Sequence, residues 1–276
     1  MLDRATDPRY LAYQYGDSEK LKIRLETHEQ YSEHVNQDWH RHFTAQLAPA
    51  AGDTVLDVGC GFGAFHPALC AVGARVLAFD FSPGMAQESV RNAVSAGLDV
   101  RVLRADAQQI PLADCSVDHA LASHMLYHVP DIERALMEMR RVVKPGGRVL
   151  LITNAADHSA RLRDLHERAA HDCGYTSAVA FPTTRFSLDH LPLVRSVFPN
   201  AQLLRLPNAF LFPTVEPALR YYASGFVDSI EDRPEDGRHR APMLQHMSEL
   251  IQEIVDREGV FRVPKDAGAF LATVEA

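Results

Sequence analysis

The chain has little of what would tie it to a membrane, a metal or a polyanion. Its 276 residues include four cysteines, Cys60, Cys70, Cys115 and Cys173, far apart and without a C-x-x-C pair. That pattern suggests neither a disulfide framework nor a zinc site. No apolar run approaches the roughly 20 residues that a bilayer-spanning helix needs, because Asp, Arg and Lys interrupt every candidate. The opening stretch, MLDRATDPRYLAYQYGDSEK, lacks the apolar core of a secretion signal. Positive charge is in deficit: 28 Lys and Arg against 36 Asp and Glu give a formal charge of -8. Such a balance offers no electrostatic footprint for nucleic acid. Internal repeats and low-complexity tails are absent too. The expectation is a cytoplasmic protein with neither membrane nor nucleic acid as partner, a monomer or a homodimer.

What is there is enough for a large core, at 46% hydrophobic and 23% charged residues. The first fifty residues read as helical. Leu21, Leu25, His28, Ser32 and Val35 fall near one stripe of SEKLKIRLETHEQYSEHVNQDWHRHFTAQL, with charges between them. APAAGD then breaks the pattern. From there TVLDVG, RVLAFD, DVRVLRAD, VDHALAS and GRVLLIT read as strands, and SPGMAQESVRNAVSAG and DIERALMEMRRVVKPGG as helices between them. Short apolar runs alternating with helices predict a parallel sheet covered on both faces. Beyond Asn154 the alternation weakens. AQLLRLPNAFLF reads as a strand with an irregularity at Pro207, about sixty mostly helical residues follow, and GAFLATVEA is a last strand candidate. EDRPEDGRHR reads as a solvated loop. Three parts result: a helical cap over 1–50, an α/β core over 51–154, and a part over 155–276 that carries a helical insertion at about 208–262.

Chemistry enters at TVLDVGCGFGAF, where Gly59, Gly61 and Gly63 mark the turn from the first strand into the first helix of the core. Removing Cβ there permits positive φ and lets a ligand lie against the main chain. The spacing G-x-G-x-G is shorter than the dinucleotide-binding G-x-G-x-x-G. Asp80 ends the second strand, where a carboxylate can accept from both hydroxyls of a ribose. Asp106 ends the third, within reach of an adenine amino group. An adenine bracketed by those two strands, with glycines under a compact amino-acid tail, describes S-adenosylmethionine better than NAD.

The successive stretches VLDVGCGFGAF, LAFDFSPGM, ADAQQIPLADCSVDHALASHMLYHVPD and LMEMRRVVKPGGRVLLIT resemble the motifs of class I S-adenosylmethionine-dependent methyltransferases. YQYGDSEKLKIRLETHEQYS and SHMLYHVPD are similar, more narrowly, to a bacterial subgroup of small-molecule methyltransferases with an N-terminal helical cap. The resemblance implies a Rossmann-like seven-stranded sheet whose last strand is antiparallel, with helices on both faces. AQLLRLP becomes the sixth strand and GAFLATV the seventh, with the helical insertion between them. It also implies roles by position. Asp57, Gly59, Cys60 and Gly61 would hold the methionine end of the cofactor, Asp80 the ribose, Phe81 and Met85 the adenine face, and Asp106 and Ala107 its edge. Ser123, where many subgroup members have Asn, would lie beside the methyl-bearing sulfur.

Methyl transfer from a sulfonium is an in-line displacement, so the protein mainly aligns the acceptor with the methyl group. A base is needed only when the acceptor carries a proton. His124 in SHMLYHVPD is the first candidate, with His128 and Tyr127 next; His124 either takes a proton or only orders the pocket. The four-residue spacing of the two histidines suggests a metal pair only on paper, since no third ligand is near in sequence, and no metal is expected. Tyr10, Tyr13, Tyr15, His28 and Tyr31 offer a ring-lined wall for the acceptor, some of them as helix packing. Asn154 and His158 would complete the rim, and Phe210, Phe212, Tyr221 and Tyr222 the roof. The expected function is methylation of O or N of a small metabolite in specialised metabolism. A nucleic-acid methyltransferase and a non-catalytic cofactor-binding protein are the alternatives on the same fold.

Overall fold

The apolar runs of residues 54–154 become parallel strands, the central ones buried on both faces and the edge strand at 100–104 partly exposed. β1 (Thr54–Val58), β2 (Arg75–Asp80), β3 (Val100–Arg104), β4 (His119–Ser123) and β5 (Arg148–Asn154) follow one another in the chain. Val55 and Leu56, and likewise Val149 and Leu150, point to opposite faces and are all fully enclosed. The computed structural model describes Thr6 and residues 19–34, 38–178 and 184–275. In it β6 (Gln202–Leu206) and β9 (Ala267–Thr273) complete a seven-stranded sheet of order β3-β2-β1-β4-β5-β9-β6. β9 runs antiparallel to both of its neighbours. The direction of winding reverses between β1 and β4, which opens a crevice at the carboxyl ends of those strands.

Helices cover the sheet where their apolar stripes meet it. α5 (Ile132–Val142) starts at Asp131, whose carboxylate accepts from the Arg134 N–H at 2.9 Å. Its Ala135, Leu136, Met139 and Val142 are fully buried at helical spacing. They share one face of the sheet with α7 (Leu191–Val197). α2 (Trp39–Leu47) and α3 (His66–Ala71) take the other face through Phe43, Leu47 and Leu69. α4 (Pro83–Ser95) starts at Ser82, which caps the Met85 N–H. No described helix is long and apolar enough to cross a membrane.

A second core lies off the sheet. AQLLRLPNAFLF is two strands, not one: β7 (Ala209–Phe212) leaves the sheet after Pro207 and pairs with β8 (Phe261–Pro264) alone. Proline has no N–H to continue the ladder. Asp266 holds the turn by accepting from the Asn208 N–H at 3.2 Å. Between β7 and β8 run α8 (Val215–Ala223) and α9 (Arg240–Glu258), packed with α6 (Ala160–Asp172) around Tyr222, Phe212 and Met247. α1 (Glu19–Tyr31) docks here too: the Glu33 N–H donates to the Ala209 carbonyl at 2.8 Å, and Ser32 bridges Phe210. The end of EDRPEDGRHR is not solvated, because His239 and Arg240 bond the buried Asp228 at 3.0 and 2.6 Å.

Candidate active site

The three glycines after β1 have different reasons to lack a side chain. All have positive φ, from 56° to 87°. A Cβ at Gly59 would meet the Met125 side chain at 2.7 Å, and one at Gly63 would meet the His66 ring at 2.5 Å. At Gly61 a Cβ would meet nothing within 4 Å. Two glycines therefore serve packing, and the third opens on a cavity of about 1130 Å³ at the crevice between β1 and β4. Cys60 between them is buried, with its thiol beside Ser89, and burial pushes its pKa up; it is an inert packing group. Asp57 is buried under the turn with its carboxylate 3.3 Å from His66 Nε2, a partner that nothing in the glycine pattern announces.

The acids sit at successive strand ends, as their spacing predicts. Asp80 accepts from the Gly61 N–H at 2.9 Å and from the Ser82 N–H at 2.8 Å, so it clamps the glycine turn to the start of α4. Burial raises its pKa, and the two backbone bonds oppose that. Each carboxylate oxygen keeps a lone pair free for the cavity. Asp106 accepts from both the backbone and the side-chain N–H of Gln108. Gln108 in turn accepts from the Asp131 N–H, which ties the third strand end to α5. Met85 and Ala107 are buried, whereas Phe81 is 56% exposed with the Arg104 guanidinium near its ring. All of these except Gly63, His66, Ser89 and Asp131 line the cavity.

Ser123 ends β4 at the same cavity, and the next residue is strained. His124 has φ of 52°, a left-handed conformation that costs an L-residue roughly 1–2 kcal/mol. Its N–H donates to the Ile152 carbonyl at 3.0 Å, which fixes the turn, and its ring stacks on Trp39. Burial, with His40 nearby, pushes its pKa down to about 4, so the imidazole is neutral at neutral pH. Tyr127 and His128 form a short turn at Leu126–His128, with rings edge to face, and both line the cavity.

The opposite wall comes from far apart in the chain. Tyr10, Tyr13 and Tyr15 lie outside the described residues. His28 lines the cavity, but Tyr31 does not: three residues on, it has turned toward Phe212 at a ring distance of 5.6 Å. Of the expected roof only Tyr221 lines the cavity; Phe210, Phe212 and Tyr222 are fully enclosed in the second core, and Tyr222 is bonded to His166. Asn154 and His158 do line it, carried by the end of β5 and the segment after it. Burial pushes the pKa of His158 down to about 3.

The sequence reading missed Lys265. It sits between β8 and β9, is 4% exposed, and lines the cavity. Its ammonium donates to Ser32 Oγ at 2.6 Å and to His28 Nδ1 at 2.8 Å, and lies 4.3 Å from the centre of the Phe210 ring. Burial alone pushes its pKa down to about 7. A single lysine just before the last strand candidate, in FRVPKDAGAF, was the available signal.

Residues 56–151 match a family model described as a methyltransferase domain. A demethylmenaquinone methyltransferase of Clavibacter sepedonicus is 40% identical over 117 residues, which are 42% of this chain and 47% of that protein. A malonyl-[acyl-carrier protein] O-methyltransferase of Serratia marcescens is 34% identical over 113 residues, 41% of this chain and 43% of that one. The chain thus spans about half the length of the curated relatives it matches. Among solved structures, the YcgJ protein from Bacillus subtilis superposes with a TM-score of 0.58 at 17% identity, covering 86% of this chain and 98% of that one; that likeness concerns the fold. The matched segment is a class I S-adenosylmethionine-dependent methyltransferase domain, and S-adenosylmethionine is the cofactor of that family.

Proposed function

We propose that the chain transfers a methyl group from S-adenosylmethionine to O or N of a small-molecule acceptor, in specialised metabolism. The observation that carries this reading is the opening at Gly61 beside two carboxylates, Asp80 and Asp106, at successive strand ends of one cavity. In this reading Asp57 and the backbone at Gly59, Cys60 and Gly61 take the methionine end of the cofactor, and Asp80 takes the ribose. Phe81 and Met85 flank the adenine, Asp106 and Ala107 meet its edge, and Ser123 lies near the sulfur. S-adenosylmethionine, when bound, supplies an activated methyl group on a sulfonium.

The rest of the chemistry is alignment. Trp39 and the β5-side bond of its N–H hold His124 in a strained turn, so that its neutral ring faces the acceptor. With a pKa of about 4 the ring is unprotonated and free to accept a hydrogen bond from an acceptor O–H or N–H, but it is a weak base. His128 and Tyr127 close the cofactor side of the acceptor space, and His28, Asn154 and His158 its far side. The relatives named above bear different acceptors in their names, so the domain alone does not choose one. The net charge of -8 argues against a nucleic-acid acceptor.

Calorimetric titration tests the reading. S-adenosylmethionine and S-adenosylhomocysteine should bind in the micromolar range and NAD should not. Binding of NAD with no response to either sulfur compound would overturn it.

A further inference from the structure

Away from Asp57, Asp80 and Asp106 the cavity is lined by Lys265, Arg24 and Arg163 and by the imidazoles of His28 and His158, while the lining acids Glu29 and Asp38 act on His40. Lys265 is buried, yet no carboxylate of the described residues lies within 4.0 Å of its ammonium. Its contacts are a hydroxyl, an imidazole and an aromatic ring, all of them neutral. The charges that His28 feels come from Lys265, His158, His124 and Arg24, and those that His158 feels from His124, Lys265 and Arg163. Of these groups Lys265, Arg24 and Arg163 carry the positive charge near neutral pH, the two imidazoles being neutral there, and none of them is acidic. Arg24 and Arg163 also line the cavity, and each donates to a backbone carbonyl, Ser224 and Ala156 respectively. A buried charge is normally paired, since leaving it alone costs several kcal/mol.

The tautomer of His28 points the same way. An ammonium cannot accept, so His28 Nδ1 must be the acceptor of the Lys265 bond and the ring proton sits on Nε2. That Nε2–H has no hydrogen-bond partner among the described residues, on a residue that lines the cavity. Ser32 cannot supply the missing charge, because its hydroxyl is spent between Lys265 and the His28 carbonyl.

We propose that Lys265 and His28 form a subsite for an acidic oxygen group of the acceptor, a carboxylate, phenolate or enolate. The anion accepts the His28 Nε2–H and, across the imidazole, supplies the Lys265 ammonium with a counter-charge that none of the described residues gives. The proposal rests on the methyltransferase reading for the identity of the ligand as acceptor. It also sets a dimension. Lys265 precedes β9, and β9 is two strands from β4, which ends at Ser123. At about 4.8 Å per strand the backbones at these two strand ends are about 10 Å apart, and the acid is proposed as a handle separate from the atom that is methylated.

The test uses matched pairs: benzoate and benzamide, 2-naphthoate and 2-naphthamide, decanoate and decanamide. Each is titrated by calorimetry into the full chain at pH 6.5, with and without S-adenosylhomocysteine. The expected result is at least one acid that binds tenfold or more tightly than its amide, with that preference lost in Lys265→Met and in Lys265→Gln. Affinity for S-adenosylhomocysteine should stay within twofold in both variants, which also reports that they fold. No acid reaching tenfold over its amide overturns the subsite, as does a tenfold preference that survives both substitutions. Failure of S-adenosylhomocysteine to bind the unaltered chain, with the Lys265-dependent acid preference intact, would instead overturn the methyltransferase reading and leave the subsite standing.

Discussion

The two halves of the cavity are built in opposite ways. The half under β1, β2 and β3 presents carboxylates, Asp57, Asp80 and Asp106, each at a strand end and each held by a neighbour close in sequence or on the adjacent strand. The half under β5 and β9 presents cations and imidazoles, His28, His158 and Lys265, drawn from the first helix, a turn and the last strand connection. A positively charged sulfonium suits the first half and an acidic acceptor the second. The difference teaches that polarity across one pocket can order two substrates before either binds.

Substitution at the meeting point of the halves should have the largest effect. His124→Ala should leave affinity for S-adenosylmethionine nearly unchanged: if the ring takes the acceptor proton, methyl transfer slows on the order of 10²–10⁴-fold in single-turnover kinetics, and if it only positions the acceptor the change is mainly a raised KM. A lost cofactor affinity instead would place His124 in the acidic half. Next, Asp80→Ala should weaken S-adenosylhomocysteine by about 1.5–3 kcal/mol, the usual cost of hydrogen bonds to a charged group. It should leave acid-probe binding alone, whereas Lys265→Met should do the reverse.

The pH dependence separates the halves further. Lys265 is protonated in the free protein below about pH 7. Binding of an acid raises the pKa of the amine, so affinity should be flat below pH 7 and fall roughly tenfold per unit above it. Cofactor affinity should show no break at that pH. The glycines offer a finer comparison, read by denaturant unfolding and by calorimetry. Gly59→Ala meets both positive φ and Met125, so stability should fall by about 2–3 kcal/mol. Gly61→Ala meets only the φ penalty of roughly 1–2 kcal/mol in stability, and under the proposed cofactor placement it should also weaken S-adenosylhomocysteine binding. Thermal stability gives a last comparison. The folded-state pKa of Lys265 lies below that of the unfolded amine, so the unfolded chain binds more protons between about pH 7 and 10. Unaltered protein should gain stability over that window relative to Lys265→Met.

The acidic half was legible in the sequence because its determinants are local. A strand, a glycine turn and a carboxylate at the next strand end recur within about fifty residues, and a parallel sheet must bring such ends to one edge. The cationic half was not. Lys265 and His28 are 237 positions apart and meet only because β7 and β8 leave the sheet and α1 docks on them. Phe210, Phe212 and Tyr222 read as a roof because aromatic residues suit either a pocket or a core. Burial decided for the core, and no periodicity in that stretch reveals it. Tyr31 shows the same limit on a smaller scale: it lies about one turn after His28 and near the same helix face, yet packs against Phe212 and the second core.

A crystal structure with S-adenosylhomocysteine bound tests the division of the cavity most directly. The account predicts ribose hydroxyls on the Asp80 carboxylate, the homocysteine tail over Gly61, the sulfur toward Ser123 and His124, and no part of the ligand within contact of Lys265. A ligand whose ribose is held away from Asp80, or whose carboxylate pairs with Lys265, would contradict it.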